Sequence, residues 1–204
     1  MKSMLKNAAI LLIITVIAGF VLGLVYQNTK GLIADREAQD KKEACLEVFH
    51  NASNFKPIEN VVTEDIRKKL DENGFENETI EEGSMAVDSN GQQLGYVLTI
   101  KTSQGYAGDI RFTVGIQNDG TVNGISILSI SETAGLGMQA DAVLKPQFAN
   151  KKVQTFEYTK TGATSENQID AISGATITTN AITTGVNCGL YYFQAFLGGG
   201  NINE

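Results

Sequence analysis

The chain has 204 residues, a formal net charge of −7 and a sequence pI near 4.8, with two cysteines and one histidine. An acidic balance with no basic stripe argues against a nucleic-acid binder, which needs positive charge to meet phosphates. Two isolated cysteines, Cys45 and Cys188, are too few to ligate an iron–sulfur centre.

No charged residue occurs between Asn7 and Thr29, and Ala8–Tyr26 is almost wholly apolar. A helix of that length spans about 28 Å, close to the hydrocarbon thickness of a bilayer. Tyr26 stands where an interfacial aromatic anchor belongs. The apolar run is longer than a signal-peptide core and no A-x-A site follows it closely, so it reads as an uncleaved anchor. Lys2 and Lys6 precede the span, and Lys30, Arg36, Lys41 and Lys42 follow it, so the positive charges do not fix the orientation.

Residues 30–49 are rich in helix formers and continue the span as a stalk, which the run Asn51–Pro57 breaks. Thr63–Leu70 reads as a short helix with Thr63 at its N-cap. Ser84–Asp88 and Gly95–Lys101 read as strands around a Ser89-Asn90-Gly91 turn. Asp109–Gln117 and Val122–Ile130 read as a hairpin around Asn118-Asp119-Gly120. A short helix over Asp141–Ala149, a strand over Val153–Tyr158 and a final helix over Thr178–Leu197 complete the chain. Strands flanked by helices give an α+β fold: one N-terminal transmembrane helix, then a mainly antiparallel sheet with a C-terminal helix. His50 lies in a polar stretch and reads as a surface side chain rather than a metal ligand. Cys45 and Cys188 read as ordinary thiols, with a disulfide as the alternative outside the cytoplasm.

The informative stretch is Asp170-Ala171-Ile172-Ser173-Gly174-Ala175-Thr176-Ile177-Thr178-Thr179. Gly174 and Ala175 let a bulky group approach the backbone, and Ser173, Thr176, Thr178 and Thr179 supply hydroxyls. The final helix starts here, and a helix N-terminus offers free N–H groups and a positive dipole end to a phosphate. A Ser/Thr-capped helix start with no ligand has the same residue types.

D-x-x-S-G-A-T-x-T resembles the flavinylation motif of the FMN-binding domains of two related respiratory complexes, Rnf and the sodium-pumping NADH:quinone oxidoreductase. The resemblance implies FMN joined by a phosphoester bond to Thr176, placed there by a flavin transferase that takes it from FAD. It makes Asp170 the leading acid and Ser173, Gly174, Ala175, Thr178 and Thr179 the surrounding site. A second match, Glu132-Thr133-Ala134-Gly135-Leu136-Gly137, is similar to the family's E-T-P-G-L-G loop beside the flavin, with Ala134 in place of Pro. It implies that Glu132, Thr133, Gly135 and Leu136 line the cofactor. Gly105-Tyr106-Ala107-Gly108 fits a glycine-rich turn of the same family. Thr161-Gly162-Ala163-Thr164 duplicates the four-letter core, but Tyr158 stands where the leading acid belongs, so the longer pattern selects Thr176 over Thr164.

Chain length favours the Rnf G subunit over the longer C subunit of the sodium-pumping reductase. The resemblance thus implies an electron-carrying subunit of a ferredoxin:NAD⁺ oxidoreductase complex, not a catalyst by itself. Its partners are the other membrane and peripheral subunits, the flavin transferase and the lipid bilayer. The expected location is the cell membrane, crossed once, with the C-terminal domain outside the cytoplasm. The expected division is an anchor at 1–29, a helical stalk and linker at 30–78, and the FMN-binding domain at 79–204. The alternatives are the C-type subunit, a stand-alone anchored flavin domain, and an anchored binding module without flavin.

Overall fold

The computed structural model describes residues 2–198. Contacts divide the chain into two units, Met1–Lys42 and Glu43–Glu204. Helix α1 (Lys2–Val48) begins in the first and ends in the second.

In the first unit every residue from Ala8 to Tyr26 is exposed. This bare apolar surface is long enough to cross a membrane. Three of the polar side chains in and just beyond it pair with the helix itself. Thr15 donates to Leu12 O at 2.9 Å, Asn28 to Leu24 O at 2.9 Å and Thr29 to Val25 O at 2.9 Å. Such internal pairing is what a hydrocarbon solvent demands of polar groups.

The second unit is built on a five-stranded antiparallel meander. Its strands are β1 (Asn54–Pro57), β2 (Glu78–Val87), β3 (Gln93–Thr102), β4 (Ile110–Gln117) and β5 (Val122–Ser129), paired in chain order. The turns follow their residue chemistry. Asp88 Oδ1 accepts from Asn90 N and Gln92 N, both at 2.8 Å, and Asp119 Oδ1 accepts from Thr121 N at 3.0 Å. Helix α2 (Glu64–Glu72) starts at Thr63, whose hydroxyl accepts from Ile66 N at 3.4 Å, as the sequence predicts.

Alternation along the strands makes two buried faces. On one, Leu98, Ile100, Phe112, Val114, Ile116 and Ile125 join Ile182, Val186 and Phe193 of helix α4 (Thr176–Phe196) in the main core. On the other, Val97 and Ala86 join Val48 and Phe49 at the end of α1. A side chain on Gly115 would place its Cβ 2.8 Å from Val48 Cβ, so the glycine leaves the notch that Val48 fills. Glu47 strengthens this seat by accepting from the Ser126 hydroxyl and pairing with Lys145.

Helix α1 ends at Val48, the run after it contains edge strand β1, and residues 43–78 contribute the end of α1, β1 and α2 to the second unit. Two expectations need correction. In place of the single short helix expected over Asp141–Ala149, a 3₁₀ turn (Gly137–Gln139) leads into α3 (Ala140–Val143) and a second 3₁₀ turn (Lys145–Phe148). The strand expected over 153–158 is shifted: β6 (Glu157–Thr159) takes up only its last two residues and runs one further, and it pairs in parallel with β7 (Gln168–Asp170).

Candidate functional site

Helix α4 begins at Thr176, two residues earlier than its periodicity suggests. Thr176 is therefore the first helical residue rather than part of the loop before it. The N-cap is Ala175, which has no side chain to offer, and the first turn carries no acidic residue. The leading N–H groups and positive dipole end of a 21-residue helix thus face outward without a side-chain cap. Thr176 is half-buried and Ser173 and Gly174 are exposed.

The loop leading into the helix is closed by its own groups. Gly174 turns the chain at φ +75°. Ala175 N donates to Ile172 O at 3.0 Å. Thr179 is fully buried, its hydroxyl accepting from Ile172 N at 3.1 Å and donating to Ala175 O at 3.0 Å. These two bonds use its hydroxyl to hold the loop in shape. Asp170 turns its carboxylate to the duplicate loop, where Oδ1 accepts from Ala163 N at 2.5 Å. Thr164 of that loop is tied by its hydroxyl to Gln168 Oε1 at 3.0 Å.

The fold brings the second motif to the same place. A Cβ on Gly174 would lie 3.0 Å from Leu136 Cδ2. A Cβ on Gly137 would lie 2.6 Å from Thr178 Oγ1 and 2.7 Å from Glu132 Cβ. The two motif loops therefore meet face to face. Glu132 is buried and reaches the third patch: its Oε1 accepts from Tyr106 N at 2.8 Å and Ala107 N at 3.4 Å. Thr133, Gly135 and Leu136 sit exposed on the turn between, with Thr133 O accepting from Leu136 N at 3.1 Å.

Two features make these loops a candidate ligand site. Thr178 Oγ1 is buried and has no hydrogen-bond partner among the described residues. A buried polar atom left unpaired costs about 1–3 kcal/mol, which a ligand can recover. The same loops and the start of α4 leave large apolar side chains in solvent: Tyr106 is 69% exposed, Ile177 52%, Met138 45% and Leu136 40%. Apolar walls beside uncapped helix N–H groups suit a ligand with a flat ring system and a phosphate. Met138 lies outside the motifs and Ile177 fills an unspecified position of one, so the sequence assigns neither a role, because nothing in their spacing says that the fold leaves them uncovered.

Comparison with known proteins agrees with this geometry. Residues 105–190 match the FMN-binding domain family, and residues 1–48 match the RnfG N-terminal region. The chain is 35% identical over 196 residues to the G subunit of the Na⁺-translocating ferredoxin:NAD⁺ oxidoreductase complex of Acetobacterium woodii, covering 95% of this chain and 93% of that one. It is 30% identical over 196 residues to the G subunit of the ion-translocating oxidoreductase complex of Methanosarcina acetivorans, covering 95% and 96%. It is 28% identical over 184 residues to the G subunit of the proton-translocating ferredoxin:NAD⁺ oxidoreductase complex of Clostridium ljungdahlii, covering 90% and 88%. The crystal structure of Shewanella oneidensis NqrC aligns with 56% of this chain and 58% of its own, at a TM-score of 0.47 and 21% identity. With an apolar helix at its start and an FMN-binding domain behind it, the chain belongs to the family of G subunits of the ion-translocating oxidoreductase (Rnf) complexes.

Proposed function

We propose that this chain is the electron-carrying flavoprotein subunit of a membrane ferredoxin:NAD⁺ oxidoreductase complex, with FMN bonded through its phosphate to Thr176 Oγ1. One observation carries the reading. Thr176 opens an uncapped helix, and two residues on, the hydroxyl of Thr178 lies buried without a partner among the described residues.

Several residues of these loops then have a physical task. The N–H groups of the first turn of α4 face the phosphate, and the dipole of the helix favours its charge. Gly174 and Ala175 keep the approach to Thr176 free of bulk. Tyr106, Leu136, Met138 and Ile177 give apolar cover to a ring. Glu132 holds the 105–108 loop by its backbone amides, and the buried Thr178 hydroxyl supplies a polar group that has no partner among the described residues. When bound, the flavin supplies the redox chemistry, and the chain supplies position and exclusion of side reactions.

A flavin transferase that takes FMN from FAD makes the bond: Thr176 Oγ1 joins the phosphorus, the pyrophosphate link breaks, AMP leaves and the hydroxyl gives up its proton. A covalent tether keeps the cofactor on a domain facing away from the cytoplasm, where no flavin pool replaces it. Two of the relatives are named for different ions, sodium and protons, so the reading concerns the electron carrier and not the ion.

The test is intact-mass and peptide mass spectrometry of the full chain made with its native flavin transferase. The peptide holding Thr176 is expected to gain the mass of FMN less one water. An unmodified peptide in colourless protein refutes the assignment.

A further inference from the structure

The geometry points to Gln147 as the positioning residue that sets the register of the flavin-bearing loop, by completing the free edge of the short strand that leads into it. The inference rests on the proposed attachment at Thr176.

Asp170 ends β7, whose neighbour β6 pairs with only one of its edges. On that side Ala171 N donates to Thr159 O at 2.8 Å. On the other side no strand follows among the described residues, and the backbone of Asp170 is met by a side chain. Gln147 Oε1 accepts from Asp170 N at 2.7 Å, and Gln147 Nε2 donates to Asp170 O at 3.1 Å. This two-point contact copies what a neighbouring strand offers to one residue of a ladder. The second hydrogen of Nε2 goes to Val143 O at 2.8 Å. The three bonds fix the orientation of the amide: turned over, its oxygen would face two carbonyl oxygens and its NH₂ an N–H.

From this clamp the order runs on toward the tether. Asp170 is held by Gln147, Ala171 by Thr159, Ile172 by Thr179, and Ala175 by Ile172. Thr176 follows as the first residue of α4. The other end of the clamp matters equally. Gln147 lies in the 3₁₀ turn Lys145–Phe148, anchored by fully buried Phe148, whose ring meets Phe156 at 5.0 Å. The same stretch of chain begins at Gly137, in the loop that faces Thr178. Gln147 thus ties the segment that carries one flavin-facing loop to the backbone that carries the other. Neither motif contains it.

The experiment uses the full chain, co-produced with its native flavin transferase, as wild type, Gln147→Leu and Gln147→Glu. Leu keeps the bulk and removes all three hydrogen bonds. Glu keeps the acceptor for Asp170 N and loses the donor to Asp170 O. The expected result is flavin incorporation slowed severalfold in Gln147→Leu and to a lesser degree in Gln147→Glu, with both variants folded by thermal melting. Incorporation at the wild-type rate in both folded variants overturns the inference, as does a loss that only tracks the unfolded fraction. Hydrogen exchange on protein made without the transferase separates this from the attachment itself. The amides of Ala175 and Thr179 are expected to exchange faster in Gln147→Leu than in wild type, whether or not Thr176 takes a flavin. Unchanged exchange there sinks the role of Gln147. Wild-type protein without flavin, but with faster exchange in the variant, keeps the clamp and removes the attachment.

Discussion

Gly137 lies so close to Thr178 that a methyl group on it would stand 2.6 Å from the threonine hydroxyl oxygen. That contact joins the two motif loops of the site at their narrowest point, and it makes both residues testable.

Gly137→Ala is expected to force Thr178 and Glu132 apart. Overpacking of this kind costs about 1–3 kcal/mol. Chemical denaturation should show the loss, and flavin incorporation should fall with it, because the wall facing α4 moves.

Thr178→Val should separate stability from function. It removes a buried hydroxyl that has no partner among the described residues. The flavin-free protein is expected to gain about 1 kcal/mol, while flavin content falls. A variant that is no more stable without flavin than wild type contradicts the reading of that hydroxyl.

Thr176→Val is expected to abolish in-gel flavin fluorescence, and Thr164→Val to leave it intact. Thr164 occupies its hydroxyl with Gln168, in a loop held by the Asp170 carboxylate. Asp170→Ala should therefore loosen residues 161–164 as well as slow flavin incorporation, and protease sensitivity there would report the first effect.

Glu78 provides the pH test. It is fully buried at the start of β2, with Oε1 accepting from Thr102 at 3.0 Å and Oε2 unpartnered among the described residues. Burial raises its carboxyl above the usual 4.5, against the opposing effects of the Thr102 hydrogen bond and the Arg67 charge. The folded state therefore holds this proton more tightly than the unfolded state. Its contribution to stability is present below the unfolded value and is lost as pH rises through the folded one. Glu78→Gln should stabilise the protein most at about pH 8, by on the order of 1–3 kcal/mol, with the gain shrinking as pH falls toward the unfolded carboxyl value. Denaturation midpoints across that range are the measurement, and a gain that does not shrink refutes the assignment.

Cys188 should be inert in the folded protein. Burial, and after it the Glu78 charge, pushes its thiol up to about 12. Alkylation at neutral pH is expected only after unfolding. Cys45 packs in the cluster on the opposite face of the sheet, which accounts for the absence of a disulfide between the two.

Much of this was legible because it is local. The membrane helix shows in an uninterrupted apolar run, the α2 start in Thr63, and the two hairpins in Asn-Gly and Asp-Gly. The stretch proposed to carry the flavin lies in one contiguous run around Thr176. What escaped is non-local. β1 has four mostly exposed residues ending in Pro57, and only its partner β2 makes it a strand. β6 and β7 have three residues each and pair across a loop. Gln147 reaches Asp170 over a separation of 23 residues, with no pattern to announce it. Glu78 stands in a glutamate-rich stretch with no signal that sets it apart, and its burial is a decision of the tertiary fold.

The seat of Val48 against Gly115 has a practical corollary for anyone wishing to study the cofactor domain in water. A cut placed at the end of the apolar span keeps the plug in its notch. One placed just after Phe49 strips Val48 and Phe49 from the sheet and lays Val97 and Ala86 open. Such a fragment would meet solvent with the back of its own sheet, and its copies would be apt to stick to one another there, however faithful the flavin side remained.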